Sequence, residues 1–181
     1  RGTHDGLYRL ESFMRSYYFT RKGKAEQARR EAGLPPLPPK EAGYADGWGL
    51  KCDISKYFYS IQHEPLKRMV RSYVHDPDVL WLTDMIIDST ENPGIPISNQ
   101  TSQWFAVMYL SGLDHFIKEK LGIRYYGRYM DDFYLIHEDK AYLRYCRAEI
   151  EKYVGELGLK LNNKTNIFPL RNGIDFLGFH T

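Results

Sequence analysis

No stretch of this chain approaches the roughly 20 consecutive apolar residues that a helix needs to cross a bilayer. It opens on Arg1-Gly2-Thr3, with neither an initiator Met nor the apolar core of a secretion signal. Cysteine is scarce, with only Cys52 and Cys146, far apart and outside any C-x-x-C pair. The six histidines are scattered, and this pattern argues against a structural zinc site. Two such thiols read as free cysteines of a reducing compartment, so the protein is expected in the cytoplasm. An excess of one charge is also lacking, because 25 basic and 23 acidic side chains leave a net charge of +2. A near-neutral total can still hide a basic groove, so this says little about a polyanionic partner. No internal repeat is visible.

What the chain does have is apolar and aromatic mass. Of 181 residues 43% are hydrophobic, with fifteen Tyr, nine Phe and three Trp, enough to fill the core of a folded domain. Leu7, Leu10, Met14 and Tyr17 repeat at helical spacing after Thr3, a possible N-cap, and a second, exposed helix is expected from Arg21 to Arg30. The run Leu34-Pro35-Pro36-Leu37-Pro38-Pro39 breaks helix and strand alike; it reads as a stiff linker, with a recognition peptide as the alternative.

Trp48, Leu50, Cys52 and Ile54 alternate as in a strand, and Leu66, Met69, Val70 and Tyr73 mark a short amphipathic helix from Pro65. A further helix, capped by Asp76 or Asp78, should turn Val79, Leu82, Met85 and Ile86 inward. After the loop Glu91–Gly94, Thr101 or Ser102 should cap a long helix with Phe105, Met108, Tyr109, Leu113, Phe116 and Ile117 as its stripe. Strands over 123–126 and 133–136 face each other around a polar tip, and a helix follows from Ala141 to Leu157. Strands over 165–170 and 174–179 are expected to pair across Asn172-Gly173, a strong hairpin signal. This order predicts an α+β fold, an antiparallel sheet with helices packed on one face.

The chemistry-bearing residues are carboxylates. Asp131-Asp132 occupies the tip between two aromatic strands, where the plain alternative is a solvated turn. Alternation along a strand sends one carboxylate toward a site and its neighbour aside, unless a turn re-aims it. Asp53 sits within Leu50-Lys51-Cys52-Asp53-Ile54, where a buried carboxylate needs either a metal ion or a Lys or Arg partner. A few convergent Asp residues suffice for Mg²⁺, which keeps most of its ligands as water and phosphate, and such ions serve nucleotidyl transfer. On this reading Asp53, Asp131 and Asp132 converge on one edge of the sheet.

Lys51-Cys52-Asp53-Ile54-Ser55-Lys56-Tyr57-Phe58 resembles the first catalytic motif of reverse transcriptases, and Tyr129-Met130-Asp131-Asp132 resembles their YxDD box. Between them, Gly94-Ile95-Pro96-Ile97-Ser98-Asn99-Gln100-Thr101-Ser102-Gln103 stands where the family has G-x-P-x-G-x-x-x-S. Leu157-Gly158-Leu159-Lys160-Leu161-Asn162 with Lys164-Thr165 resembles the next motif, and Phe176-Leu177-Gly178-Phe179 the primer-grip hairpin. The ordered set is far more specific than any one segment.

The resemblance implies a polymerase palm acting as an RNA-directed DNA polymerase with two Mg²⁺ or Mn²⁺ ions. Asp53 and Asp131 would hold the metals, with Asp132 assisting and the Ile54 carbonyl as a further ligand. Phe58 matches the steric gate that rejects a 2′ hydroxyl, core packing being the alternative. Pro96, Ile97, Ser98, Gln103, Tyr129 and Met130 would line the nucleotide and template side. Lys164 would meet the departing pyrophosphate, unless it is a solvated loop lysine. Phe176, Leu177 and Gly178 would grip the primer. The implied partners are an RNA template, a DNA or RNA primer, dNTPs and an accessory protein, with no membrane.

The I-x-N-x-T-S-Q form at Ile97–Gln103 is similar to that of bacterial diversity-generating retroelement enzymes, with the group II intron type as the alternative. Aliphatic Ile97 stands where most relatives have Gln, which removes a hydrogen bond from the pocket and fits weak discrimination. Ser98 in place of the usual Gly, and the insert from Arg21 to Gly47, depart from that group. Residues 1–47 are expected to be partial fingers helices and a proline-rich linker, and 48–181 the palm, with 61–97 a fingers-side helical insertion and no thumb. Lys56, Lys67, Arg68, Arg124 and Arg128 would line a basic cleft, or else form an ordinary solvated surface. A catalytically silent module binding RNA or a partner is the alternative function. A cyclase-type palm would explain the carboxylates, but neither Phe58 nor the Gly94–Gln103 segment.

Overall fold

The charged segment from Arg21 continues the first helix instead of starting a second, so that α1 runs unbroken from Thr3 to Glu31. Lys, Ala, Glu, Gln and Arg are all strong helix formers, and Gly23, with open space around it, costs only about 1 kcal/mol. An ion pair at 3.9 Å between Lys22 and Glu26 and a bond at 3.0 Å from Gln27 to Glu31 add i,i+4 support.

The computed structural model describes residues 3–36, 47–97 and 99–180. Arg1, Gly2, residues 37–46, Ser98 and Thr181 lie outside the described residues, and with them the second half of the proline-rich run, residues 37–39, and the start of the expected partial fingers. The chain divides into two compact units: one of residues 1–51, 123–145 and 166–181, the second of residues 52–122 and 146–165.

A four-stranded sheet of order β2-β3-β1-β4 is built from β1 (Trp48–Asp53), β2 (Tyr125–Tyr129), β3 (Asp132–His137) and β4 (Asn166–Pro169), and all of it but Cys52 and Asp53 belongs to the first unit. β2 and β3 form the expected antiparallel hairpin, Tyr125 opposite Ile136 and Tyr129 opposite Asp132. Leu10 and Tyr17 of α1 pack in one core with Tyr125, Tyr134, Ile136, Leu170, Ile174 and Phe176. Phe133 and Leu135, on the opposite pleat of β3, are buried as well. Gly127 faces Tyr134 across the ladder, and a Cβ there would lie 2.5 Å from the tyrosine hydroxyl. Only glycine lets that ring lie across β2.

The last strands depart from expectation. β4 pairs with β1, Trp48 opposite Pro169, and not with the strand that follows it. Asn172-Gly173 closes a 3₁₀ turn, Leu170–Asn172. The hairpin forms one step later, between β5 (Asp175–Phe176) and β6 (Phe179–His180), around Leu177 and Gly178 at φ 55° and 82°. Positive φ at both central residues matches the twist of paired strands, and the β1–β4 ladder has already taken residues 166–169.

In the second unit α2 (Tyr57–Ser60) precedes α3 (His63–Tyr73), which buries Leu66 and Val70 but leaves Tyr73 exposed. Asp76 caps α4 (Pro77–Ile87), accepting from the Asp78 and Val79 amides at 3.0 and 3.1 Å. The expected inner face of α4 is not inside: Val79, Leu82 and Met85 are exposed, Ile86 is half-buried, and Ile87 is the buried residue. In so apolar a helix the periodicity did not single out one face. α5 (Gln100–Tyr109) is capped by Asn99 through the Thr101 amide at 3.2 Å, not by Thr101 or Ser102. The expected long helix breaks at Leu110 into α6 (Ser111–His115) and a π-helical turn, Phe116–Lys120, and still buries Phe105, Tyr109, Leu113 and Ile117. Helix α7 (Lys140–Glu156) matches its expected span and gives this unit buried Cys146, Ile150 and Val154. Tyr153 of α7 stacks on Phe116 at 4.9 Å. No described helix is long and apolar enough to cross a membrane.

Candidate active site

In the first unit, the pairing of Tyr129 with Asp132 leaves Met130-Asp131 as a two-residue loop. Met130 adopts φ 54°, a left-handed conformation that costs a non-glycine residue about 1 kcal/mol or more. Arg128 Nη1 donates to the Met130 carbonyl at 2.9 Å and fixes the loop. Asp131 therefore rides on the turn while Asp132 opens β3, and Tyr129, Met130 and both aspartates are half-buried.

Lys51, two residues before Asp53, partners Asp132. Lys51 Nζ lies 3.2 Å from Asp132 Oδ2, with the two side chains 25% and 22% exposed. The same ammonium donates to the Asp175 carbonyl and lies 6.0 Å from the centroid of the Phe176 ring. Phe176 is buried and meets Tyr134 edge-on at 4.9 Å, while Leu177 and Gly178 form the hairpin turn.

In the second unit, Asp53 ends β1 and is bound by the Leu157–Asn162 segment. Asn162 donates from its side-chain amide to Asp53 Oδ2 at 2.9 Å and from its backbone to the Asp53 carbonyl at 2.7 Å. Ser55 N–H donates to the Lys160 carbonyl at 2.9 Å, and buried Ile54 bridges to Leu161. The Asn162 side-chain oxygen accepts from the Lys164 amide at 3.0 Å, which turns its NH₂ toward Asp53. The Lys164 side chain itself is exposed. Sequence reasoning placed Asn162 in a motif but gave it no role; its position two residues before Lys164 was the available signal.

Phe58 lies on α2 beside Tyr57, rings 5.8 Å apart at 71°. Tyr57 takes the buried position, with its hydroxyl on the Ala106 carbonyl at 2.5 Å, and Phe58 stays half-buried. The core-packing alternative thus describes Tyr57 better than Phe58. The Ile95 amide donates to the Phe58 carbonyl and the Gly94 amide to the Ile61 carbonyl, both at 2.9 Å. Gly94 adopts φ 139°, a conformation open to glycine, and its carbonyl accepts from Thr90 Oγ1 at 2.8 Å and faces His63 Nε2 at 2.6 Å. His63 Nδ1 meets Asp88 at 3.2 Å, and Lys67 reaches Asp88 at 2.7 Å. This buttress behind the 94–97 segment was not foreseen. Pro96 is half-buried, Ile97 is 51% exposed, Gln103 is exposed on α5, and Ser98 lies outside the described residues.

The hydrogen bond with Lys67 holds the Asp88 carboxyl below the ordinary aspartate range, against a desolvation that raises it; attraction to Lys67 and the His63 contact add to the lowering. Burial pushes the Tyr134 hydroxyl above the ordinary tyrosine range. Of the residues expected to line a basic cleft, Lys67 is committed to Asp88 and Arg128 to its own turn, while Lys56, Arg68 and Arg124 are exposed.

Among the described residues, no three His, Cys, Asp or Glu side chains are gathered as a metal site. Asp53 belongs to the second unit, Asp131 and Asp132 to the first. The donors expected from the sequence, the carboxylates of Asp53, Asp131 and Asp132 and the Ile54 carbonyl, are all hard oxygens. That chemistry fits Mg²⁺ or Mn²⁺, which keep part of their shell as water and phosphate.

The solved structures that resemble the chain include two of telomerase. The apo telomerase of Candida tropicalis, truncated from its C-terminal domain, has a TM-score of 0.62 at 15% identity, covering 97% of this chain and 42% of that one. The Candida tropicalis telomerase with a TWJ fragment of telomeric RNA has a TM-score of 0.59 at 15% identity, covering 74% of this chain and 28% of that one. The chain thus spans less than half the length of either, and the likeness is one of fold, the mixed helix and antiparallel sheet of a polymerase palm. No curated protein matches the chain. The family described as reverse transcriptase (RNA-dependent DNA polymerase) matches residues 40–181, and the chain belongs to that family.

Proposed function

We propose that this chain is the palm region of an RNA-directed DNA polymerase that adds dNTPs to a primer 3′ hydroxyl. The observation that carries the reading is the backbone bond from Ile95 to Phe58, which ties the 94–97 segment to the helix bearing the candidate gate. A half-buried Phe58, whose carbonyl takes the amide of Ile95 just before Pro96 and Ile97 in the chain, suits a nucleotide pocket better than a core. In this reading Phe58 excludes a 2′ hydroxyl, and Pro96, Ile97, Ser98, Gln103, Tyr129 and Met130 line the nucleotide and template side. Phe176, Leu177 and Gly178 seat the primer, and Lys164 meets the departing pyrophosphate.

Asp53, Asp131 and the Ile54 carbonyl would hold two Mg²⁺ or Mn²⁺ ions, with Asp132 assisting. Such ions activate the attacking hydroxyl and neutralise charge on the transferring phosphate. Asn162 orients the Asp53 carboxylate, and the Met130 turn presents Asp131. Residues 48–181 act as palm, with 61–97 on the fingers side and 1–47 as partial fingers. The partners are an RNA template, a DNA or RNA primer, dNTPs and an accessory protein, in the cytoplasm. Within the family, Ile97 and the Asn99–Gln103 run favour the diversity-generating retroelement type over the group II intron type.

The test is primer extension by the protein on a defined RNA template with Mg²⁺ and each dNTP, beside an Asp131→Asn, Asp132→Asn variant. Extension that vanishes in the variant supports the polymerase. The pairing of Asp132 with Lys51 leaves room for a second reading, a catalytically silent module that binds RNA or a partner. No extension under any metal or primer condition, with RNA binding retained, selects that one.

A further inference from the structure

We infer that Lys51 is a positioning residue that couples the seating of a primer on the β5–β6 hairpin to the Asp132 carboxylate; this rests on the polymerase reading. The β5–β6 hairpin is a sheet of its own, separate from the four-stranded sheet. Its orientation therefore depends on side-chain ties. Two of these converge on one face of β3, because Asp132 and Tyr134 are two residues apart. Phe176 packs edge-on against Tyr134 at 4.9 Å. Lys51 bonds the Asp175 carbonyl and holds Asp132 Oδ2 at 3.2 Å.

An ammonium offers three donors and no acceptor, so one Lys51 can serve the hairpin backbone and the carboxylate together. A neutral side chain would leave the Asp132 charge half-buried without this counter-ion, and arginine would keep the charge with a different reach. Lys51 thus does two things. It offsets the charge of Asp132, leaving more of the metal work to Asp53 and Asp131. It also transmits displacement of the hairpin, as when a primer strand presses on it, to the residue next to Asp131.

The test uses the whole protein and two readouts that need no catalysis. Primer–template affinity is measured in EDTA by fluorescence anisotropy, and amide exchange is followed over residues 175–180. Lys51→Met should weaken duplex binding about tenfold, the scale of a lost charge-assisted hydrogen bond, and speed exchange in the hairpin. Lys51→Arg should recover most of both. Asp132→Asn, which leaves Lys51 in place, should also speed hairpin exchange, so the idea stays testable if Lys51→Met fails to fold. The double variant should bind duplex no more weakly than Lys51→Met alone. Hairpin exchange that ignores Asp132→Asn would overturn the coupling, and so would full additivity in the double variant. Faster exchange with unchanged duplex affinity would overturn the primer role. Failure of primer extension in the unaltered protein would sink the polymerase reading, and the exchange arm would then decide the Lys51–Asp132 coupling separately.

Discussion

Asn162 and Asp53 are bonded twice, side-chain amide to carboxylate at 2.9 Å and backbone N–H to carbonyl at 2.7 Å. The backbone bond fixes where the strand ends, and the amide bond fixes how the carboxylate is turned. Asn162→Ala removes only the second. The expected result is a 10- to 100-fold fall in kcat for primer extension, the scale of a misplaced reacting group, with the melting temperature lowered by only a few degrees. Unchanged kcat would mean that the strand alone orients Asp53.

Phe58 is half-buried, and its neighbour Tyr57 fills the core. Phe58→Ala should therefore cost less than the ~3 kcal/mol or more lost when a fully buried Phe is truncated. It should at the same time let rNTPs compete with dNTPs. Chemical denaturation and single-nucleotide incorporation separate these effects. Large destabilisation with unchanged sugar selectivity would return Phe58 to a packing role.

Gly127 and Tyr134 make a matched pair of opposite sensitivity. Gly127→Ala places a methyl group within 2.5 to 2.8 Å of the Tyr134 phenol and should destabilise by ~1–3 kcal/mol through overpacking. The Tyr134 hydroxyl is buried without a hydrogen-bond partner among the described residues. Tyr134→Phe should then leave stability unchanged or raise it, since an unsatisfied hydroxyl is removed. Urea midpoints of the two variants should move in opposite directions or differ widely; a large loss in Tyr134→Phe would contradict this account.

Asp88 joins Lys67 and His63, and its carboxyl is held below the ordinary aspartate range chiefly by Lys67. A lowered folded-state value means stability that is present above the unfolded-state value and lost as pH falls through the folded-state value. The stability difference between the unaltered protein and Asp88→Asn should thus be full near neutrality and shrink below about pH 4. A difference that stays constant through acid would show that the carboxylate charge is not what matters there.

Ile97 is half in solvent, free to meet a ligand. Ile97→Gln should raise accuracy opposite template adenine, read by sequencing the products. No change would remove the argument for the retroelement subtype.

The sequence was most legible where local chemistry and tertiary pairing agreed. Alternation from Trp48 along β1, the antiparallel hairpin that carries Asp131 and the span of α7 are features of this kind, although Asp132, expected at the tip, already belongs to the strand. It misled where two local solutions competed. Asn172-Gly173 is a strong turn signal, but residues 166–169 pair with β1, so the turn closes a 3₁₀ segment instead. In α4 the apolar runs 79–82 and 85–87 put apolar side chains on every side of the helix, and periodicity does not reveal that Val79, Leu82 and Met85 face outward. Asn99 takes the cap in place of Thr101 or Ser102 because its side-chain carbonyl accepts from both the Thr101 amide and the Thr101 hydroxyl. At the candidate site the aspartates and Phe58 were readable as motifs. The supports were not, since Lys51–Asp132, Asn162–Asp53 and His63–Gly94 join residues from 31 to 109 positions apart.

The separate β5–β6 sheet also has a bearing on protein engineering. Since the hairpin shares no ladder with the four-stranded sheet among the described residues, its register is set within six residues, Asp175 to His180. It behaves as a cassette: swapping in a hairpin of the same length from a relative would leave every main-sheet pairing undisturbed. The junction at Asn172-Gly173 is then the place to cut, and sequence drift within the cassette would be limited mainly by Phe176 and by the carbonyl that Lys51 holds.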